Sequence, residues 1–154
     1  MKFRTSLLTL GLCLVAVMCF AANEAWMGTW KLNEAKSKLA PAGPKNSTVV
    51  YEAADDSVKV TIDGTTPDGK PFHSEWTGKF DGKDYPVTGD PTSDARSLKQ
   101  IDDHTLQLAV KKDGKVTMTG RVVLSADGKT RTVTATGTDP KGKKFKSVSV
   151  YDKQ

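Results

Sequence analysis

Apolar and polar side chains alternate one by one through most of the chain beyond residue 46. Val58, Val60 and Ile62 alternate with polar neighbours, and the same period runs from residue 104 to 112. Because successive side chains of a β-strand point to opposite faces, each segment has one apolar and one polar face. This pattern is typical of a half-buried antiparallel sheet, so the chain is predicted to be all-β. For the last segment, residues 143–152, the pattern does not decide which face points inward.

Short motifs that favour tight turns separate these segments. Asp-Gly-Lys stands at residues 68–70, 81–83, 113–115 and 127–129. Asp closes hydrogen bonds onto its own backbone and Gly accepts a positive φ at little cost, so the pair is a strong hairpin signal. A calcium loop is not indicated, because the sequence has no Asp-x-Asp-x-Asp-Gly run with a trailing Glu.

The two patterns together predict nine or ten strands joined in sequence by short turns. Their predicted bounds are 26–32, 47–53, 57–63, 70–80, 83–87, 95–101, 104–112, 115–125, 129–138 and 143–152. One helical turn is predicted from Asn33 to Lys38. A twisted sheet of this width tends to close, which also removes its exposed edges. We therefore predict an antiparallel up-and-down meander that closes into a small barrel of about eight to ten strands, with a β-sandwich as the alternative.

The N-terminus differs in composition from the predicted sheet. Lys2 and Arg4 precede an apolar run, Ser6–Phe20, which two alanines follow. The run is shorter than the ~20 residues of a membrane-spanning helix. Residues 1–21 are therefore predicted to be a cleaved signal peptide. The rest, 22–154, is predicted to be a single β-barrel domain, periplasmic or secreted, with no integral membrane segment.

Composition narrows the partners and the chemistry. Both cysteines, at positions 13 and 19, leave with the predicted signal, so the mature chain has no disulfide and no thiolate-bound metal. The full chain has 23 basic and 18 acidic residues, but its lysines are scattered through turns, which argues against a nucleic-acid partner. No phosphate loop, dinucleotide fingerprint or nucleophile elbow is present. We therefore assign no cofactor and no catalytic residue, and an enzyme is the less favoured interpretation.

The two histidines give weak grounds for a metal site. His73 and Glu75 lie two apart on one strand face, but that face is the polar one and offers no third ligand. His104 follows two aspartates in a predicted turn. We expect solvated side chains at both positions and assign no metal.

The start of the predicted domain carries a motif of a known family. Residues 26–32 read Trp-Met-Gly-Thr-Trp-Lys-Leu. Gly28-Thr29-Trp30 resembles the Gly-x-Trp on the first strand of calycins, the group of lipocalins and fatty-acid-binding proteins. The whole predicted mature chain is also similar to uncharacterised secreted lipocalin-like proteins of bacteria with a Gly-Thr-Trp-Lys-Leu-Asn opening. The resemblance implies that Trp30 plugs one end of the barrel and that Gly28 lets the chain cross closely.

Two features of that family are not matched. Ser149-Val150-Tyr151 stands where fatty-acid-binding proteins have Arg-x-Tyr, so the carboxylate-binding arginine is missing there and a fatty-acid ligand is not supported. The arginine that covers the first-strand tryptophan in lipocalins has no clear match on the last strand. Lys146 or Lys153 would have to replace it.

A barrel of this width leaves a cavity if small side chains line part of it. Ser74, Gly78 and Gly120 lie at predicted inward positions. We therefore predict that the lumen binds a small, partly apolar (hydrophobic) molecule. The predicted lining residues are Tyr51, Phe72, Trp76 and Arg96. An inward Arg96 would have to be paired or face a ligand, and exposure to solvent is its alternative.

An interaction module or inhibitor of the cell envelope, without a small ligand, is the alternative function. Stretches rich in proline at 39–46 and 85–93 are predicted as loops at the barrel rim, where binding surfaces are common. A packed interior would favour this alternative, whereas a continuous lumen would favour the carrier. In either case the chain is expected to be a monomer.

Overall fold

The structure, a computed structural model, describes residues 23–41, 43–139 and 141–154. The predicted signal peptide, residues 1–21, lies outside the described residues. Within the described part of the chain, no helix is both long enough and apolar enough to cross a membrane.

Ten antiparallel strands make up most of the described chain. They are β1 (Gly28–Leu32), β2 (Lys45–Ala54), β3 (Ser57–Thr65), β4 (Pro71–Gly78), β5 (Tyr85–Thr88), β6 (Ala95–Asp102), β7 (Thr105–Lys112), β8 (Lys115–Leu124), β9 (Thr130–Thr138) and β10 (Lys144–Lys153). Each strand pairs with the next in sequence, and β1 also pairs with β10, so the sheet closes into a barrel. The predicted all-β, up-and-down barrel is confirmed, and the sandwich alternative is excluded.

The chain around β1 contains two short 3₁₀-helices, Glu24–Trp26 and Glu34–Lys36. The first makes the predicted strand bounds wrong at Trp26, whose backbone N–H donates to Asn23 O at 3.0 Å within the turn. The second confirms the helical turn predicted at 33–38. It is capped by the Asn33 side chain, which accepts a hydrogen bond from the Lys36 N–H.

Pairing with β9 decides which face of β10 points inward. Ser147 lies opposite Ala135, and Tyr151 lies opposite Arg131. Directly opposite residues of neighbouring strands share a face of the sheet. Because Ala135, Arg131 and Tyr151 are all buried, the face of β10 that carries Ser147 and Tyr151 lines the interior. The face with Val148 lies outside.

The two ends of the barrel differ. At one end the fully buried Trp26 packs edge to face against Phe80, with 6.3 Å between ring centroids. Trp30 Nε1 donates a 3.0 Å hydrogen bond to Trp26 O. We call this the plugged end. The opposite end, called the rim, is formed by the β1–β2, β3–β4, β5–β6, β7–β8 and β9–β10 connections, which include the proline-containing loops.

Gly78, at the end of β4, marks the tightest packing between neighbouring aromatic rings. A Cβ at this position would lie 2.6 Å from ring atoms of Trp76 and of Tyr85. Since inserting carbon into a packed core costs about 1–3 kcal/mol, we expect Gly78→Ala to lower the free energy of unfolding by that amount. The measurement is equilibrium denaturation. Gly43→Ala is the matched control, because its Cβ would make only an ordinary 3.4 Å contact with Phe145. Equal stability of the two variants would contradict the packing.

Candidate ligand-binding cavity

The interior of the barrel contains a cavity of about 90 Å³. Its apolar wall consists of Val49, Val60, Ile62, Leu98, Leu108, Val110, Met118, Val122, Val133, Ala135 and Phe145. Its polar wall consists of Asn46, Tyr51, Arg96, Arg131, Ser147, Ser149 and Tyr151, with Gly43 and Pro44 at the rim. A mostly apolar wall with a few polar groups is the usual composition of a small-molecule site.

The volume limits what the cavity can hold. An apolar cavity of about 150 Å³ accommodates benzene, and pockets for drug-sized ligands span roughly 300–1,000 Å³. In the conformation described here, the cavity fits a molecule of only a few heavy atoms.

The structure brings two of the four predicted lining residues, Tyr51 and Arg96, to the cavity. Both are buried, with Arg96 only 9% exposed, so its side chain does not take the solvent-exposed alternative. Phe72 and Trp76 are not among the residues that line the cavity. The Phe72 ring lies against Gly64 on β3, and Trp76 is buried in the wall.

Trp76 supports the cavity from within the wall. Its ring packs edge to face against Tyr85, with 5.8 Å between centroids. Its Nε1 donates a 2.9 Å hydrogen bond to the backbone oxygen of Arg96. Trp76 therefore fixes the main chain from which the Arg96 side chain enters the lumen.

Arg96 has a single carboxylate partner among the described residues. Its Nη2 lies 3.9 Å from Asp90 Oδ2, and the two side chains are 10% and 8% exposed. Asp90 belongs to the β5–β6 connection and also accepts hydrogen bonds of 2.7–2.8 Å from the Thr92 N–H, the Thr92 hydroxyl and the Ser93 hydroxyl. Burial lowers the pKa of Arg96, and the Asp90 carboxylate acts in the opposite direction. The rim loop thus supplies the charge that offsets this guanidinium.

Arg131 on β9 is a second buried guanidinium, which the sequence analysis missed. The residue is 2% exposed. Its Cζ lies 4.5 Å from the ring centroid of Tyr151, 5.1 Å from that of Tyr51 and 5.5 Å from that of Trp30. Cation–π contacts of this kind stabilise a charge by about 0.5–2 kcal/mol each. However, Arg131 Nε has no hydrogen-bond acceptor, and no ion pair among the described residues includes Arg131.

A signal for Arg131 was present in the sequence. It has the same parity as Val133 and Ala135, with threonines between them, so it shares their inward face. An arginine flanked by threonines also fits a solvated strand, so parity alone does not establish that Arg131 is buried. The pairing of Arg131 with Leu124 on β8 and Tyr151 on β10 shows the inward position.

The Gly-x-Trp motif forms the floor of the barrel at the plugged end. Trp30 is fully buried. Gly28 has φ +111°, and a Cβ there would lie 3.2 Å from Lys153 Cε. Lys153 Nζ lies 5.2 Å from the Trp30 ring centroid, so Lys153 covers this tryptophan together with Arg131, whereas Lys146 is exposed.

His73 lies on the outer face of the barrel with charged neighbours. His73 Nδ1 lies 2.7 Å from Asp63 Oδ1 and its Nε2 lies 3.8 Å from Glu75 Oε1. Lys59 pairs with Glu75 at 2.9 Å and competes for the same oxygen. Within residues 23–41, 43–139 and 141–154, no group of three or more His, Cys, Asp or Glu side chains has the arrangement of a metal site. His104 is exposed in the β6–β7 turn.

Scanned against models of known protein families and compared with curated proteins, the chain matches none. The closed antiparallel barrel is compatible with a lipocalin-like fold. The site must therefore be interpreted from its own geometry.

Removing the Asp90 carboxylate should destabilise the fold if this group compensates the buried charge of Arg96. Removing one partner of a buried ion pair costs about 3–5 kcal/mol, because the other charge is left uncompensated. We expect Asp90→Ala to lower the free energy of unfolding by about that amount, measured by chemical denaturation. Asp56→Ala, which breaks an exposed pair with Lys79, is the matched control and should leave stability almost unchanged. If Asp90→Ala unfolds with the same free energy as wild type, Arg96 does not depend on this carboxylate.

The Asp63–His73 contact should be visible in a titration. The hydrogen bond that His73 Nδ1 donates to the Asp63 carboxylate raises the pKa of His73 above 6.5, and desolvation opposes this rise. Because the folded-state pKa is above the unfolded one, the contact stabilises the fold below pH 6.5 and its contribution is lost as pH rises through the folded-state pKa. We expect NMR titration to give a raised pKa that returns towards 6.5 in Asp63→Asn but not in the distant control Asp127→Asn. An unshifted wild-type pKa would contradict the contact.

Proposed function

We propose that the protein is an exported binding protein that holds a small, partly apolar molecule inside its barrel. The observation that carries this proposal is a central cavity that side chains leave unfilled. Apolar residues form most of its wall, and Trp26 and Trp30 plug one end. Its lining reaches Gly43 and Pro44 at the rim, which makes the rim the access route for a ligand.

The cavity has a cost in stability that supports a functional role. Core packing normally leaves few voids larger than a water molecule. At about 24 cal/mol per Å³, a cavity of this size costs on the order of 2 kcal/mol. Ala135, Ser147 and Ser149 line it with small side chains where larger ones would fill the space. Stability is commonly given up in this way at sites that must receive a ligand.

Export is the second part of the proposal. Residues 1–21 have the charge and apolar pattern of a signal peptide, which would deliver the barrel to the periplasm or the medium. The rest of the chain contains no cysteine, so it would form no disulfide bonds in an oxidising compartment. A carrier in that location would act as a monomer.

Filling the cavity should abolish binding while the fold is retained. Ala135→Leu adds three carbons inside the lumen, whereas Thr136→Leu places the same leucine side chain at an exposed position on the same strand. We expect molecules of a few heavy atoms, titrated singly, to shift the NMR signals of the Met118 and Val110 methyl groups in wild type and in Thr136→Leu, but not in Ala135→Leu. Ser149→Leu on β10 is a second filling variant in case Ala135→Leu does not fold.

Two results would overturn this proposal. One is the absence of any shift in wild type over a panel of neutral and charged probes. The other is an equal shift in the filled and unfilled variants, which would place the binding outside the lumen. Either result would favour the interaction module that uses the rim loops.

A further inference from the structure

We propose that the ligand is a short-chain monocarboxylate whose carboxylate binds Arg131 at the plugged end. This inference rests on the proposed function, since it names the chemical class that the same cavity selects. It is carried by the imbalance of charge in the lumen and by the Arg131 guanidinium, which lines the cavity without an ion pair among the described residues. The apolar wall beside Arg131 indicates that the remainder of the ligand is a short apolar tail.

The first observation is the charge of the lining. Two guanidinium groups line the cavity, and no carboxylate is among the lining residues that the structure describes. Asp90 lies outside the lining and offsets only Arg96, at 3.9 Å. The interior therefore has one guanidinium more than the carboxylates around it. Because a buried charge without a counterion is costly, the empty lumen favours an anion over a neutral molecule.

The second observation is the way in which Arg131 is held. Three ring faces, those of Trp30, Tyr51 and Tyr151, surround its guanidinium. Aromatic faces stabilise the positive charge, but they do not replace the acceptors that five N–H donors require. Arg131 Nε is buried without an acceptor. A guanidinium has its donors in a planar fork, which matches the two oxygens of a carboxylate.

The phenols near Arg131 fit the same ligand. Tyr51 and Tyr151 both line the cavity. Burial raises the pKa of Tyr151, and the Arg131 guanidinium opposes that rise. A protonated phenol at neutral pH can donate a hydrogen bond to an anion, whereas an ionised phenol would repel it. The two tyrosines therefore add hydroxyl donors to the polar wall of the cavity, and a carboxylate can accept hydrogen bonds from them.

The third observation is the direction of the apolar wall. β9 runs from the plugged end to the rim, and Arg131, Val133 and Ala135 follow one another on its inward face. A carboxylate at Arg131 thus places its tail along Val133 and Ala135 towards Phe145 at the rim. The volume of about 90 Å³ limits that tail to a few carbons. A long fatty acid does not fit this space.

The test compares two ligands of equal shape and different charge. Butyrate and butyramide are titrated separately into wild type, and affinity is measured by calorimetry or by the shift of the lining methyl groups. Hydrogen bonds to a charged partner are strong enough that we expect butyrate to bind at least about tenfold more tightly than butyramide. This comparison uses the unaltered protein, so it does not depend on whether a variant folds.

Arg131→Met is the variant that assigns the charge discrimination to this side chain. It keeps a similar length without the guanidinium, and we expect the preference for butyrate to fall to about twofold or less. The matched control is Arg121→Met at an exposed position on β8, which should keep the wild-type ratio. If Arg131→Met binds butyrate with the full preference, the assignment to Arg131 is overturned.

The other outcomes separate this inference from the function beneath it. Equal binding of butyrate and butyramide in the lumen would overturn the carboxylate and leave the binding function standing. Binding of neither molecule, together with no response to any probe of similar size, would overturn both.

Discussion

Closure of the sheet through β1 and β10 sends every second side chain of ten strands into one interior, and the other features follow from that constraint. Most of those side chains are apolar and form the core. Arg131 and Arg96 lie on the same inward faces, so their charges have to be stabilised inside the barrel. Three aromatic rings surround one guanidinium, and a rim-loop carboxylate faces the other.

The same aromatic residues connect the fold to the site. Trp30 closes the plugged end through its hydrogen bond to Trp26 O, and its ring contacts Arg131. The residue that seals the barrel therefore also holds the charge at the bottom of the cavity. At the other end of the lumen, Asp90 fixes the rim loop through Thr92 and Ser93. The same few side chains thus close the barrel and hold the charges that face its lumen.

Much of the fold could be predicted from sequence because alternation and turn chemistry are local. The Asp-Gly-Lys motifs placed four of the nine strand connections, and strand ends such as Leu32 and Lys112 were predicted correctly. The residues that line the cavity were harder to predict, because parity gives the face of a strand on which a residue lies but not its position along the barrel axis. Phe72 and Trp76 share the parity of inward residues, yet their rings pack against Gly64 and Tyr85 instead of the lumen.

Arg131 shows the other limit. Its neighbours in sequence are threonines, and its parity with Val133 and Ala135 indicates the face of the strand but not how deeply the side chain is buried. Its burial follows from Tyr151 on the neighbouring strand β10 and from Trp30 on β1, one strand further round the barrel. These contacts join distant parts of the chain. Such pairings become visible only when the register of all strands is known.

The most direct measurement is a high-resolution crystal structure of the protein soaked with butyrate at saturating concentration. We expect electron density inside the barrel, with the carboxylate about 2.7–2.9 Å from the guanidinium nitrogens of Arg131 and the tail along Val133 and Ala135. A lumen that holds only water under these conditions, or butyrate bound solely on the outer surface, would refute carboxylate binding by Arg131.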